Sequence, residues 1–393
     1  MSRYESPIIA QRVREVPLVG SRVYEEEVLA LKRQGKDILA LSVQPVRDMP
    51  AHIIEAAAEA AKSPLYPPSR GLPELRQALA EMVGREIGDH IDPDREVLIT
   101  NGAMQGQYVL MTALLDPGDE VIIPSPCFFF HPMVKIVGGK SVLVPMTIDN
   151  FGYRLDLDRI EAAITPRTKF FLLNTPQNPT GYVVPRKDLE RIKEMAEAHN
   201  LLIVSDESYE RMVYDGRKHE MILSLPGMRE RTILVRSFTK TFSMGAWRMG
   251  YLVAPEPILN ACQKVVQWMN LTCNYVCQRA AWAAVVGPQD WLATVPAEFE
   301  ANRNALYEVL LKIDGLSSFK PWGGPFAWIN VSELAISSDE FCLDLLRSFG
   351  VLATAGQYFD APDHIRIPFG GLPQTIAKLG ERLAAAASKH LRK

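Results

Sequence analysis

The chain has 393 residues, of which 47% are hydrophobic and 23% are charged, so it can bury a large core and form more than one domain. The formal net charge of −3 and the pI of about 6.2 show no basic excess, which argues against nucleic acid or an anionic membrane surface as the main partner. The longest apolar stretches, such as YVLMTALL, are shorter than the about 20 residues that cross a bilayer.

The cysteines and the N-terminal residues bear on the compartment. Five cysteines are an odd number without a regular spacing, and the start, MSRYESPIIAQRVREV, carries charges where a signal peptide needs an apolar core. Both features predict a cytoplasmic protein. Cys273 and Cys277 are close in sequence, but no second His or Cys pair completes a zinc-ligand pattern. The sequence therefore predicts no metal site.

The patterns along the chain predict three parts. Residues 1–40 contain a charged helical stretch, VYEEEVLALKRQG, and are expected to form an N-terminal arm that belongs to a smaller domain. Residues 41–290 alternate short β-rich runs with helical stretches, as in a large α/β domain. Residues 291–393 combine a long helix (AEFEANRNALYEVLLKI), a Pro/Gly corner (PWGGPF), another helix (DEFCLDLLRSFG) and the strand HIRIPFG, which predicts a small α+β domain.

The β-rich runs of the middle part predict a mainly parallel central sheet. They contain many Val, Ile and Leu residues with little alternation, which is typical of strands that are covered on both faces. In chain order they are REVLIT, EVIIPSP, KSVLVPM, TKFFLLN, NLLIVSDES, RTILVRSF and GYLVAP. Sheets of this kind bind ligands at the carboxyl ends of their strands, so the residues directly after each run are candidates for a functional site.

Polar and small residues occupy these positions. They are Gly102 and Ala103 after VLITN, Asn178 and Gly181 after FFLL, Asp206 and Tyr209 after LLIVS, and Ser237 and Lys240 at the end of RTILVRSF. Each taken alone has an ordinary explanation, because an acid at a strand end is often a helix N-cap and most lysines are solvated. Their combination, in this order, is much more specific.

This combination resembles the class I/II aminotransferases, which are pyridoxal-phosphate enzymes of fold type I. The resemblance spans roughly residues 40–385, and SFTKTFSMGAWRMGY is its most specific segment. The matching residues are Tyr66 with Gly71 in YPPSRG, Gly102-Ala103-Met104, Asn178-Pro179-x-Gly181, Asp206-x-x-Tyr209, Ser237-x-x-Lys240, Arg248-x-Gly250 and Arg366 in HIRIPFG.

The resemblance implies how these residues hold the cofactor. Lys240 forms the Schiff base with pyridoxal phosphate and, once freed by the amino acid, carries the proton from Cα to the cofactor. Asp206 pairs with the pyridinium nitrogen, so that the ring can accept electrons. Tyr209 and Asn178 bind the 3′-oxygen, and Phe128 stacks on the ring.

The resemblance also implies a phosphate site and a dimer. The N–H groups of Ala103 and Met104 at the start of a helix bind the phosphate, together with Ser237 and the forked guanidinium of Arg248. Tyr66 reaches the phosphate from a second subunit. The protein is therefore expected to be a homodimer with shared active sites.

The substrate side of the site matches less well. Arg366 is the residue that binds the substrate's α-carboxylate, but Val43 and Gln44 replace a glycine segment that many relatives have near that carboxylate. Phe128, Phe129, Phe130 and Trp247 suit an apolar or aromatic substrate side chain. Cys127 and His131 are expected in the core or at the rim of the pocket, and no second arginine can be placed opposite Arg366.

Three hypotheses remain open at this level. The first is a ping-pong aminotransferase that moves an amino group from an amino acid to a 2-oxo acid. The second is a lyase, cyclase or oxidase that uses the same Lys240 and cofactor, suggested by the altered Val43-Gln44 segment. The third is a non-catalytic regulator that senses a ligand, although no basic helix-turn-helix segment accompanies the enzyme-like region.

Overall fold

The computed structural model describes residues 8–39, 41–45, 47–128 and 130–392. Its largest sheet has seven strands in the order β1-β9-β8-β7-β6-β2-β3. These are β1 (Val97–Thr100), β2 (Glu120–Ser125), β3 (Lys140–Pro145), β6 (Thr168–Asn174), β7 (Leu202–Asp206), β8 (Thr232–Ser237) and β9 (Gly250–Val253). A separate hairpin pairs β4 (Thr147–Asp149) with β5 (Gly152–Arg154). All seven predicted runs therefore form strands of one sheet.

Only β9 runs against the direction of its neighbours, and the remaining pairs are parallel. β1, β8 and β9 are buried along their whole length, because helices cover both faces of the sheet. Continuous burial explains why these runs lack the alternation of a half-exposed strand. The predicted α/β fold with a mainly parallel central sheet is confirmed.

Helices surround the two main sheets. They are α1 (Gln11–Arg14), α2 (Glu25–Arg33), α3 (Ala51–Lys62), α4 (Pro73–Ile87), α5 (Gly102–Leu114), α6 (Phe130–Ile136), α7 (Leu157–Ala162), α8 (Arg186–Ala198), α9 (Phe238–Thr241), α10 (Glu256–Asn270), α11 (Tyr275–Val286), α12 (Val295–Leu310), α13 (Ser338–Phe349) and α14 (Pro373–His390). None of the described helices is long and apolar enough to span a membrane.

A second, antiparallel sheet has the order β10-β11-β13-β12. Its strands are β10 (Ser317–Ser318), β11 (Phe326–Asn330), β12 (Thr354–Ala355) and β13 (His364–Pro368). α13 packs against this sheet, and α12 and α14 pack against each other beside it. Leu39 forms a parallel bridge with Val351, which lies shortly after α13. The boundaries 1–40, 41–290 and 291–393 stay a prediction.

Candidate functional site

The carboxyl ends of neighbouring strands meet at one edge of the large sheet. Asn174 at the end of β6 pairs with Asp206 at the end of β7. Gly250 at the start of the reversed strand β9 lies between Ser237 and Thr100. Parallel pairing thus brings together the polar residues that follow each apolar run, and the site lies where the ligand-binding rule for such sheets predicts.

Lys240 lies at the centre of this edge. It belongs to the single-turn helix α9, which begins directly after β8, and its Nζ is 5.8 Å from the centroid of the Tyr209 ring. Burial and, secondarily, the nearby guanidinium groups of Arg366 and Arg248 lower the pKa of Lys240 to about 7. A large fraction of this amine is therefore neutral near pH 7, as a nucleophile or a base must be.

Asp206 is a buried carboxylate without a cationic partner among the described residues. Its side chain is 5% exposed and accepts hydrogen bonds from Gln107 Nε2 at 3.1 Å and from the Ser208 N–H at 3.0 Å. Burial raises the pKa of Asp206, against the lowering effect of these hydrogen bonds. An isolated buried carboxyl of this kind is suited to bind a cationic N–H group of a ligand.

Tyr209 and Asn178 lie beside each other between Asp206 and Arg366. Their side chains are joined by a hydrogen bond, and burial raises the pKa of Tyr209, so its hydroxyl stays protonated. The backbone N–H of Asn178 donates to Asn174 Oδ1 at 2.8 Å, which fixes the loop after β6. The Asn178 side chain is thereby held in position for a ligand at this edge.

Arg366 is a buried guanidinium whose hydrogen-bonding capacity is only partly used. Its Nη1 donates to Asn178 Oδ1 at 2.9 Å, whereas the buried Nε has no partner in the described structure. Its Cζ lies 4.3–4.8 Å from the ring centroids of Phe128, Phe326 and Phe359. Burial lowers the pKa of Arg366 to about 10. This cation is therefore positioned to receive an anionic ligand such as a carboxylate.

The start of α5 forms the opposite end of the site. Gly102 has φ +78, and a Cβ at this position would lie 2.5 Å from Nη2 of Arg248, so only glycine lets the guanidinium approach. No side chain caps α5, which leaves the N–H groups of Ala103 and Met104 at a helix terminus that favours anions. Ser237 ends β8, which contacts α5, and its Oγ accepts a hydrogen bond from the Thr239 N–H at 3.1 Å.

A pocket of about 550 Å³ adjoins this end of the site. Phe128 and Arg248 belong to both the pocket and the site, and the other lining residues are mainly apolar. They include Val16, Leu18 and Val19 of the N-terminal segment, Met104 and Tyr108 of α5, Met133 and Ile136 of α6, Met269, Tyr358 and His131. The N-terminal segment thus forms one wall of the pocket.

Several other predicted residues have contacts with the core or with a neighbouring loop. Val43 and Trp247 pack against the main hydrophobic core, and Phe130 is buried in a second core cluster. Gln44 accepts a hydrogen bond from the Gly245 N–H at 3.1 Å, so it binds the loop that follows Lys240. Phe129 lies outside the described residues.

Tyr66 stands apart from the other predicted cofactor residues, because its side chain is 90% exposed. Leu65 beside it is also exposed, and so are Trp268 and Leu271. Hydrogen bonds from Gln267 to Ser69 and from Thr272 to the Pro68 carbonyl join the two segments. These exposed apolar residues therefore belong to neighbouring parts of one surface, the Tyr66 patch.

Sequence reasoning missed three side chains of the site. Gln107, which binds Asp206, lies on the buried face of α5, and its helical position relative to Gly102 was the available signal. Phe326 and Phe359 surround Arg366 from β11 and from the 3₁₀ turn Gly356–Phe359. Nothing in the sequence separates these two from ordinary core aromatics.

The arrangement combines three chemical capacities. Lys240 can form a covalent bond with a carbonyl carbon and carry a proton, because its amine is partly neutral near pH 7. Arg366 can bind a carboxylate through its unused donors. The start of α5 and Arg248 can bind a phosphate or another anion.

Comparison with known proteins gives a consistent result. Residues 36–383 match the family model described as aminotransferase class I and II. An aspartate aminotransferase of Geobacillus stearothermophilus is 34% identical over 385 residues, which cover 95% of this chain and 98% of that protein. Aromatic-amino-acid aminotransferase 2 of Thermococcus litoralis is 37% identical over 355 residues, covering 88% and 90%.

A solved structure agrees with the sequence comparisons. The aspartate aminotransferase of Rhizobium meliloti aligns with a TM-score of 0.89 at 31% identity, covering 98% of this chain and 99% of that one. Members of this family depend on pyridoxal phosphate. The match extends over both sheets and the whole site, and this chain belongs to the class I and II aminotransferases, enzymes that move an amino group from an amino acid to a 2-oxo acid.

Proposed function

We propose that this aminotransferase binds pyridoxal phosphate through Lys240 and accepts amino acids with large apolar or aromatic side chains. The observation that carries the proposal is the position of Lys240, whose pKa is lowered to about 7. It lies near Asp206, a buried carboxylate that forms no ion pair in the described structure, and near Arg366, a buried guanidinium whose Nε has no hydrogen-bond partner there. Each of these groups lacks the partner that the cofactor or the substrate supplies.

The residues present fit the cofactor. Asp206 would hold the ring nitrogen and keep it protonated, because a buried carboxylate is stabilised by a cationic partner. Tyr209 and Asn178 would donate hydrogen bonds to the ring oxygen, and Phe128 would contact the ring face. When bound, pyridoxal phosphate supplies the electron sink that stabilises the charge left at Cα after proton loss.

The phosphate would lie at the start of α5. The N–H groups of Ala103 and Met104, the hydroxyl of Ser237 and the guanidinium of Arg248 are its donors. The close approach of Arg248 to Gly102, where a Cβ would lie 2.5 Å from Nη2, supports this position. An exposed arginine held against a helix N-terminus concentrates positive charge that an anion would neutralise.

Lys240 and Arg366 would divide the work on the substrate. Arg366 binds the α-carboxylate with two parallel hydrogen bonds and thereby orients the Cα–H bond. Lys240 would take the proton from the substrate's Cα and hold it at Nζ, which its lowered pKa permits at neutral pH. The same residues act in reverse on the 2-oxo acid.

The substrate class follows from the pocket beside Phe128. Its lining is mainly apolar. The described lining residues include one arginine and no lysine, and that arginine, Arg248, is proposed to bind the phosphate. An acidic side chain would find no second cation there, whereas a large apolar or aromatic side chain would bury its surface. The aromatic-amino-acid aminotransferase of Thermococcus litoralis shows that the family includes such enzymes.

The Tyr66 patch supports a homodimer. Tyr66 and Trp268 are 90% and 93% exposed, and apolar surface of this kind marks an interface. In a dimer, Tyr66 would reach the phosphate of the partner subunit, while Gln44 and Val43 would shape the substrate side from the same chain. The five free cysteines suit a reducing compartment, and we assign the enzyme to the cytoplasm.

An absorption experiment tests the cofactor and the reaction together. The spectrum of the purified protein would be recorded before and after addition of amino acids, for the wild type, Lys240→Ala and the exposed control Lys187→Ala. We expect the band of the lysine-bound cofactor in the wild type and the control, its loss with an amino acid and its return with a 2-oxo acid. A lysine-bound band in Lys240→Ala would refute the assignment of Lys240.

A donor panel tests the substrate class separately. We expect kcat/KM for phenylalanine, tyrosine and leucine to exceed that for aspartate and glutamate by at least about tenfold, since apolar burial of a large side chain stabilises by about 1.5–3 kcal/mol. Preference for aspartate would leave the cofactor assignment intact and refute the apolar pocket as the site of the substrate side chain.

A further inference from the structure

Cys127, His131 and Asp360 form a cluster beside the substrate pocket that the transamination chemistry does not use. One ligand-type atom from each residue lies within 4.8 Å of those of the other two. Asp360 Oδ2 is 3.7 Å from Cys127 Sγ and 3.3 Å from His131 Nδ1. The cluster joins two segments that are 233 positions apart in the chain.

These distances are close to the edges of a tetrahedral zinc site. With bond lengths of about 2.3 Å to sulfur and about 2.0 Å to nitrogen and oxygen, tetrahedral angles give ligand separations of about 3.5 Å for S–O and about 3.3 Å for N–O. Two of the three edges therefore already have the required length. Thiolate, imidazole and carboxylate are also the ligand types that zinc prefers.

The hydrogen bonding around the cluster is incomplete without an ion. His131 Nδ1 is buried and has no hydrogen-bond partner in the described structure, although it faces Asp360. The backbone N–H of His131 donates to the sulfur of Cys127, a contact that would stabilise a metal-bound thiolate. Lys135, a cation that acts on His131, is paired with Glu15 at 2.7 Å, which reduces its repulsion of a bound ion.

The protonation states are compatible with metal binding. Burial lowers the pKa of His131, so its imidazole is neutral and can act as a ligand at pH 7. Burial raises the pKa of Cys127, so in the metal-free protein the thiol is protonated. Binding of a divalent ion would therefore release the thiol proton to solvent, as at other cysteine sites.

We propose that Cys127, His131 and Asp360 bind one Zn²⁺ ion per chain, with a water molecule as the fourth ligand. The sequence predicted no metal site, because the three ligands follow no local spacing and come together only in the folded chain. The ion joins the segment that carries Phe128 to the segment that carries Phe359, and these two rings stack on each other with centroids 5.1 Å apart.

Zinc binding at this position would affect the active site. Phe128 and Phe359 both contact the Arg366 guanidinium, and Cys127 and Asp360 are their chain neighbours. The Cys127 N–H also donates to the Phe359 carbonyl at 3.1 Å. A zinc ion would therefore hold together two walls of the substrate-carboxylate site, and amide hydrogen exchange in peptides that contain Cys127 or Asp360 should slow when zinc binds.

The test is equilibrium dialysis of the purified holoenzyme against zinc chloride, with bound metal counted by mass spectrometry. The variants are Cys127→Ser, His131→Gln and Asp360→Asn, and the controls are Cys277→Ser and the exposed His90→Gln. Circular dichroism and the spectrum of the bound cofactor check that every variant folds. Cobalt(II) in place of zinc adds a second readout, because tetrahedral cobalt absorbs at the long-wavelength end of the visible range, beyond the band of the lysine-bound cofactor.

We expect one zinc per chain in the wild type and both controls, and loss of the bound ion in Cys127→Ser and His131→Gln. Asp360→Asn should bind at least about tenfold more weakly, because an amide is a poorer ligand than a carboxylate. The tetrahedral cobalt spectrum should disappear with Cys127. Absence of binding to the wild type at free zinc equimolar with the protein, or unchanged binding in folded Cys127→Ser, would overturn the proposal.

Discussion

Replacement of Arg366 by lysine tests the substrate-carboxylate site most directly. Burial lowers the pKa of Arg366 from 12.5 to about 10, which corresponds to a cost of about 3 kcal/mol for the buried charge at about 1.4 kcal/mol per pKa unit. A bound carboxylate offsets this cost through the Nε donor that has no partner and through a second N–H group of the fork. Arg366→Lys keeps the charge but removes the fork.

The expected loss follows from this geometry. One charge-assisted hydrogen bond contributes about 1.5–3 kcal/mol, so the amino acid should bind about 10- to 150-fold more weakly to Arg366→Lys. Transient kinetics of the first half-reaction would give this dissociation constant and the limiting rate separately. The exposed Arg95, replaced by lysine, is the matched control. A dissociation constant within about twofold of the wild type would show that Arg366 does not bind the carboxylate as a fork.

Three further predictions concern the cofactor and the dimer. Capture of pyridoxal phosphate by the cofactor-free protein requires a neutral Lys240, whose pKa is lowered to about 7. The rate constant of capture should therefore be constant above that pH and fall about tenfold per pH unit below it. An inflection near the ordinary lysine pKa would contradict this reasoning. Gly102→Ala and Gly88→Ala both place alanine at positive φ (+78 and +70), but nothing lies within 4 Å of a Cβ at Gly88. Calorimetry should show both variants destabilised by about 1 kcal/mol, and only Gly102→Ala should lose about tenfold in cofactor affinity; equal affinities would exclude a role for the arginine contact. Trp268→Glu should shift the protein toward monomer in sedimentation velocity, whereas Phe151→Glu, at another exposed aromatic residue, should not; an unchanged dimer would place the interface elsewhere.

Local patterns were sufficient for the elements and for most of the residues proposed to hold the cofactor. Runs such as TKFFLLN and RTILVRSF predict buried strands, because a strand covered on both faces has no polar face to alternate with. The order of these runs and the residues after them then predict one edge of the sheet. Asp206 and Lys240 were found in this way, and the structure brings both to the same edge.

The substrate side was less predictable, for a reason that concerns particular residues. The family resemblance singled out Val43 and Gln44 as a departure near the substrate. In the structure, Val43 packs against the core, and Gln44 binds the Gly245 N–H. Phe326 and Phe359 looked like core residues, and they are buried, yet they also contact the Arg366 guanidinium. Burial alone does not distinguish these two uses of an aromatic ring.

The sequence by itself determined the strands, most helices and the family, and it singled out Lys240 at the end of a buried strand, because these depend on local periodicity and on short motifs. Only the tertiary structure decided which distant side chains meet. Gln107 reaches Asp206 across 99 positions, Asn178 reaches Arg366 across 188, and Cys127 reaches Asp360 across 233. Such contacts depend on the order of the strands and on the packing of whole elements. Both are set by the summed burial of many residues and not by any local pattern.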